Sequence, residues 1–445
     1  MDHIDVHNAT GAAGTPAVEH GPGTWRFVRH GLWIVGVALL VFGAIGWYQR
    51  TVEGLYYTHL GSIIPWGLWV SVYIFCIGAS AGSFLISSLV YVFKVKKFES
   101  IGRLSLFTAI VTLVMAMVES TPDIGHMERF WHVLAYPNLN SVMAWIPHLY
   151  GLYFAIMAAE LWFVTRADLV NCGDGPGPRC KIYRVLALGS RDISPERRAR
   201  DAKYVRILAT VGIPVAIMFH GGMGSLFGVI AARPSWNSGL FPLLFLLSAL
   251  ASGGALLLGV TAIFEDGWRR HREAIVLLGQ MVLGLFLLDV LFQVSEILIS
   301  SYGGHVPADG AALNLMLHGP YSWVFWVWQL GLGTLIPVAI LVAPTRKDPR
   351  WVGLAGLMIA AGFLGTRLNI VIPELAVEEL KGLASAIGNP RLQANYFPSL
   401  NEWMVSSGVL GFGLVVFGIA DRLGPHAHDR LPESEPATAS EPART

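Results

Sequence analysis

The sequence predicts an all-α integral membrane protein of about ten transmembrane helices, and three observations carry that fold class. Of its 445 residues, 54% are hydrophobic and only 14% charged, a balance that excludes an ordinary soluble enzyme. Ten apolar stretches recur, near 31–48, 66–93, 104–120, 141–165, 205–231, 240–264, 274–300, 323–343, 351–372 and 403–421. Each suits a hydrocarbon core, which takes about 20 apolar residues to cross as a helix. The basic residues are also asymmetric. Of 31 Lys and Arg, 25 lie in or beside the tails and loops 94–103, 166–204, 265–273 and 344–350. The alternate loops hold Arg50, Arg129, Arg233, Lys381 and Arg391, and Arg367 lies within a helix. This is the positive-inside pattern, and it predicts a multi-pass protein with both termini in the cytoplasm.

The elements follow in order. Residues 1–24 lack a basic region followed by an apolar core, so no cleaved signal peptide is expected and the first helix serves as insertion signal. That segment and 422–445 are rich in Ala, Gly, Pro, Ser, Glu and His and read as disordered cytoplasmic tails. Between them, 25–421 forms the membrane domain. Helix 2 opens at Trp66 and carries a small-residue run from Gly78 to Ser83; helix 3 ends in Glu119; helix 4 opens with Ser141 and Trp145. Helix 5 holds Pro214, where a kink is expected. Helix 6 repeats the small-residue run around Gly253 and Gly254, helix 7 brings Glu296, and helix 8 opens with Ser322 and Trp326. This echo predicts two parallel-repeat four-helix bundles, helices 2–5 (66–231) and 6–9 (240–372), with helices 1 and 10 flanking. Small residues also line many unrelated helix interfaces, so that alternative stays open. Loops 121–140, 301–322 and 373–402 are low in charge and rich in Trp, Tyr, His, Pro and Asn, and are expected to be ordered. Loop 166–204 is basic and reads as solvated or headgroup-facing.

Ionisable groups within the membrane are expensive, so each is a functional candidate. Tyr73 and His148 each stand seven residues inside the outer ends of their helices, roughly 10 Å deep. Glu119, Asp123 and His126 arrive at the same face, bordered by Trp66, Trp69 and Trp145. Such a set suits a quinone. Tyr and His supply hydrogen bonds to the ring carbonyls, and His or a half-buried carboxylate exchanges protons. Gly78 and Gly82 are expected to leave room for the isoprenoid tail. The tryptophans also fit a simple interfacial belt. A second set comprises Asp289 and Glu296 on one face of helix 7, with Gln293 between them, plus His220, Arg367 and Glu160. It reads either as a proton path or as static pairs that orient helices, with Glu160 snorkelling or pairing with Arg166. A proton-coupled transporter with a midplane site at Asp289, His220 and Arg367 is the alternative function. The three cysteines, Cys76, Cys172 and Cys180, supply neither a C-x-x-C-H haem attachment nor a four-Cys cluster set. The chain is therefore expected to carry no metal, haem or iron–sulfur cluster of its own. Nothing in it suggests a nucleic-acid partner.

Several motifs resemble the NrfD/PsrC (polysulfide reductase membrane subunit) family. They are Pro65-Trp66-Gly67-Leu68-Trp69 through Gly82, the Asp123-Ile124-Gly125-His126 loop ending in Phe130-Trp131, and Pro137 to Trp145. The end of the chain, Arg367-Leu368-Asn369 and Tyr396 to Trp403, is similar to the ten-helix HybB/DsrP-like branch. The resemblance implies a subunit that reacts with menaquinone or ubiquinone near the outer face. It implies a four-cluster ferredoxin-like iron–sulfur partner, and beyond it a molybdopterin oxidoreductase, hydrogenase or related catalytic subunit. By motif match, Tyr73, Asp123 and His126 carry over; His126 stands where the family commonly has Arg.

Overall fold

A computed structural model of the chain describes residues 24–173, 178–264, 267–302, 307–378, 380, 382, 386–392 and 394–423. The expectations of disorder for 1–24 and 422–445 fall almost wholly outside these residues. Among the described residues, ten helices are long and apolar enough to cross a membrane. They are α1 (Thr24–Glu53), α2 (Leu68–Tyr91), α3 (Gly102–Ser120), α4 (Val142–Gly173), α5 (Pro195–Gly228), α6 (Phe241–Ile263) and α7 (Arg272–Tyr302). Then come α8, a π-helical segment Val324–Leu335 running into Ile336–Val342, α9 (Pro349–Ala376) and α10 (Leu400–Leu423). No strand occurs among the described residues. The protein is a multi-pass integral membrane protein. Ten spans return the chain to the side from which it started, so the end away from both termini is called distal below.

Local chemistry explains several boundaries. The Ser194 side chain caps α5 by accepting from the Arg197 amide, with Pro195 in the first turn, and Asp348 with Pro349 opens α9 likewise. Pro214 sits within α5, which continues helically through it.

Three helices form the centre. In α2, α6 and α9 the buried share of the spanning window is 78%, 72% and 72%, against 17% in α1. Their small residues let backbones meet. A Cβ added to Gly82 of α2 would run into the Ala249 carbonyl oxygen and lie 2.7 Å from Gly253 Cα, both in α6. Helices α1 and α10 pair at the periphery through Gly43 against Gly408. One large apolar cluster draws mainly on α2 to α5, and a second mainly on α6 to α9.

Most of residues 181–200 are exposed, as the solvated character of loop 166–204 predicts, but one arginine at the start of that loop is not. Arg166, fully buried, donates from Nε to Asp201 Oδ2 at 2.7 Å and from Nη1 to Ser190 Oγ and the Asp192 carbonyl. It ties the cytoplasm-assigned extension of α4 to the start of α5 rather than facing lipid headgroups.

Candidate functional site at the distal ends of the two bundles

The first distal group is built where α3, α10 and the 121–126 turn meet. Arg50, at the end of α1 and 2% exposed, donates to the carbonyls of Pro122 (2.7 Å), Ile124 (2.8 Å) and Gly125 (3.4 Å). These bonds fix the turn that presents Asp123, whose Oδ1 is buried without a partner. Burial pushes the Asp123 carboxyl up to about 7; the Glu402 charge adds to the shift and Arg50 opposes it. Glu119, fully buried, accepts from Ser406 of α10 through Oε1, and its Oε2 has no partner. Glu402, equally buried, accepts from the Tyr396 hydroxyl (2.6 Å) and the Ser399 amide (2.7 Å).

Nearby, Tyr73 reaches from α2 toward α5, where its hydroxyl has only Met223 Sδ, at 3.9 Å. His148 of α4 uses Nδ1 on the Ala144 carbonyl (2.9 Å), and no hydrogen bond to Nε2 is made among the described residues. Tyr73, Leu149, Tyr150 and Met223 all pack on the first apolar cluster. Among the described residues, Asp123 Oδ1, Glu119 Oε2 and His148 Nε2 are thus left without a hydrogen-bond partner, and the Tyr73 hydroxyl has only a weak sulfur contact.

Other expected members lie elsewhere. Gly78 and Gly82 do not line a groove for a tail: Gly82 is filled by the α6 backbone and Gly78 faces Ser252 and Ala249. Trp69 is 1% exposed and donates to the Glu402 carbonyl, so it is core rather than a pocket wall. Trp66 packs against Phe227 and Trp236, toward the second bundle. Trp145 is 53% exposed and donates to the Leu139 carbonyl. His126 faces outward, 70% exposed and 3.0 Å from Glu128 Oε1, away from any buried ring.

The midplane set is not a single joined site. His220 has both ring nitrogens against backbone carbonyls, Nδ1 on Ala216 (2.7 Å) and Nε2 on Ile77 (2.9 Å), so it ties α5 to α2. That occupies the atoms that a transport site or an axial iron ligand at His220 requires. Asp289 and Arg367 are electrostatic neighbours, with no direct ion pair between them among the described residues. Asp289 Oδ2 accepts from Gln293 (2.5 Å), and Arg367 Nη2 donates to Ser248 (2.5 Å). Glu160 is fully buried with both carboxyl oxygens unpartnered, so it neither snorkels nor pairs with Arg166.

Sequence reasoning missed a cleft of about 890 Å³, open mouth included, between α6, α7, α8 and α9, covered distally by the short helix Pro307–His318. Arg367, Gln329, Asn369, Gln293, Glu296 and Glu374 line it. Amide chains link three helices across it: Asn369 Nδ2 to Gln329 Oε1 (2.6 Å), Gln329 Nε2 to Gln293 Oε1 (2.8 Å), and Gln293 to Asp289. The available signal was the recurrence of uncharged amides at one depth in three apolar helices.

A polytopic helical scaffold with unpartnered polar groups inside its distal half is the architecture of an integral membrane subunit. The family profile for polysulphide reductase, NrfD, matches residues 58–377, and the chain belongs to that family. It is 36% identical to the C subunit of the selenate reductase of Mesobacillus selenatarsenatis over 87% of this chain and 92% of that one. It is 26% identical to the Hdr-like menaquinol oxidoreductase integral membrane subunit of Archaeoglobus fulgidus, over 87% and 91%. Against the menaquinone reductase integral membrane subunit of Nitratidesulfovibrio vulgaris, identity is 21% over 86% and 90%.

Proposed function

We propose that this chain is the quinone-handling membrane subunit of a respiratory oxidoreductase complex in a bacterial inner membrane, with both termini cytoplasmic. In this reading it exchanges electrons at its distal face with a four-cluster ferredoxin-like iron–sulfur subunit. That subunit in turn serves a molybdopterin oxidoreductase, a hydrogenase or a related catalytic subunit. Two relatives whose names specify menaquinol or menaquinone chemistry support the ligand class. The observation that carries the placement is the set of open polar atoms on Tyr73, His148, Asp123 and Glu119.

A bound quinone supplies two-electron, two-proton redox chemistry. The residues do the rest. The Tyr73 hydroxyl, with no oxygen or nitrogen acceptor of its own, donates to one ring carbonyl, and His148 Nε2 meets the other. Asp123, held near neutrality by burial, takes up or releases a proton close to the distal surface. Glu119 does so from the buried side, and His126 with Glu128 forms the exposed exit. Arg50 acts through the turn, fixing where Asp123 stands. Tyr153, whose buried hydroxyl lies beside Ser80, and Glu160, with both carboxyl oxygens unpartnered among the described residues, lead from this zone toward the proximal side and offer a route for proton translocation.

The test uses the assembled complex. Tyr73→Phe lowers quinol- or quinone-linked turnover at least tenfold, while activity of the catalytic subunit with a soluble dye stays at its original level. An unchanged quinone-linked rate in Tyr73→Phe and in His148→Leu overturns the placement.

A further inference from the structure

The geometry points to a second quinone-class ring site, in the cleft between α6, α7, α8 and α9, with Arg367, Gln329 and Asn369 as its donors. It rests on the reading that this chain handles quinones, but on different residues. The cleft is an open-mouthed crevice with apolar walls from Phe241, Leu244, Ile297, Leu313 and Ile370 and with polar side chains converging from α7, α8 and α9, the make-up of a small-molecule site. Its floor contains a cation with unused hydrogen-bonding capacity. Arg367 is 2% exposed, its Nη2 donates to Ser248, and its Nε and Nη1 are buried without any partner. Such donors are costly to leave unmade in an apolar surround, so an acceptor presented in the cleft is strongly favoured.

The charge of the lining selects the acceptor. Arg367 shares the lining with the carboxylates Glu296 and Glu374, the latter accepting from Ser235. A phosphate or carboxylate headgroup meets these carboxylates as well as the guanidinium, whereas a neutral ring with two carbonyl oxygens meets donors without that opposition. The amides of Gln329 and Asn369 each use one N–H in the cross-helix chain and carry a second. Phe245 supplies an aromatic wall, already stacked 4.6 Å beneath the Arg367 guanidinium. Gln329 belongs to the π-helical segment of α8, a backbone form that recurs at functional sites. Its position also matches the first bundle. Gln329 lies three residues after Trp326, as His148 lies three after Trp145.

The full chain in detergent micelles is titrated with 2-heptyl-4-hydroxyquinoline N-oxide, a fluorescent quinol analogue whose emission is quenched on binding. Two probe molecules per chain are expected. Gln329→Leu and Asn369→Leu each weaken one of them at least tenfold and leave the other unchanged, which also shows that the variants are folded. Tyr73→Phe does the converse. A single site that responds to Tyr73→Phe and ignores Asn369→Leu overturns this inference and spares the first-bundle reading. A single site that responds only to the α8 and α9 variants upholds it and overturns the first-bundle placement. Two sites indifferent to Gln329→Leu and Asn369→Leu, or no saturable binding at all, overturn it.

Discussion

Asp123→Asn is expected to flatten the pH dependence of stability. In the native fold burial raises the Asp123 carboxyl from 3.8 to about 7, so the folded state binds this proton more tightly than the unfolded chain does. Stability changes with pH in proportion to the protons bound unfolded minus those bound folded, and that difference is negative between about 4 and about 7. Wild-type stability therefore falls as pH rises through this window and is constant, for this group, on either side. Each tenfold difference in proton affinity is worth about 1.4 kcal/mol, which makes the full loss about 4 kcal/mol as an upper bound. Movement of the 121–126 turn toward water reduces it. Asparagine occupies nearly the same volume and cannot ionise. It carries a fixed cost of about 1–3 kcal/mol for a buried polar atom left unpaired, but that cost does not vary with pH. The assay is thermal unfolding in micelles followed by tryptophan fluorescence, from pH 4 to pH 8. Wild type should lose a few degrees more than the variant across that range. Parallel curves for the two proteins would refute the assignment of a raised, buried carboxyl at this position.

Three further outcomes follow from packing and pairing. Gly82→Val places a side chain against the α6 backbone, where even a Cβ meets the Ala249 carbonyl oxygen inside van der Waals contact. It should cost about 1–3 kcal/mol or more, whereas Gly221→Ala, with open space around it, should leave the melting temperature nearly unchanged. Arg166→Met takes the buried partner from Asp201 and leaves it only Arg197, at 3.3 Å, so it should destabilise by about 1–3 kcal/mol, less than the full cost of an unpaired buried charge; Arg166→Met with Asp201→Leu should recover part of that in the same unfolding assay. Arg50→Met leaves the carbonyls of Pro122 and Ile124 without their donor, at about 1–3 kcal/mol. Proteolysis or hydrogen exchange should localise its loosening to 121–126.

The sequence by itself determined the ten spans, because a hydrocarbon core imposes one rule on every segment that crosses it and apolar length reports it directly. It also determined the family, through motifs such as Asp123-Ile124-Gly125-His126, and the positions of Tyr73 and His148 along their helices, which is a matter of counting. Which side a residue faces was decided by tertiary structure. Trp69 reads as a pocket wall until α10 is packed over it, and Gly82 reads as tail space until α6 fills it. His126 reads as one member of the ring-binding group until its loop turns it toward Glu128 at the surface. The cleft around Arg367 needs four helices, spread along the chain from Phe241 to Ala376, brought together. Amides such as Gln329 and Asn369 carry no periodic or charge signal strong enough to join them in one dimension. Depth is a property of one helix and is written along it; facing and enclosure are properties of several, and only their packing sets them.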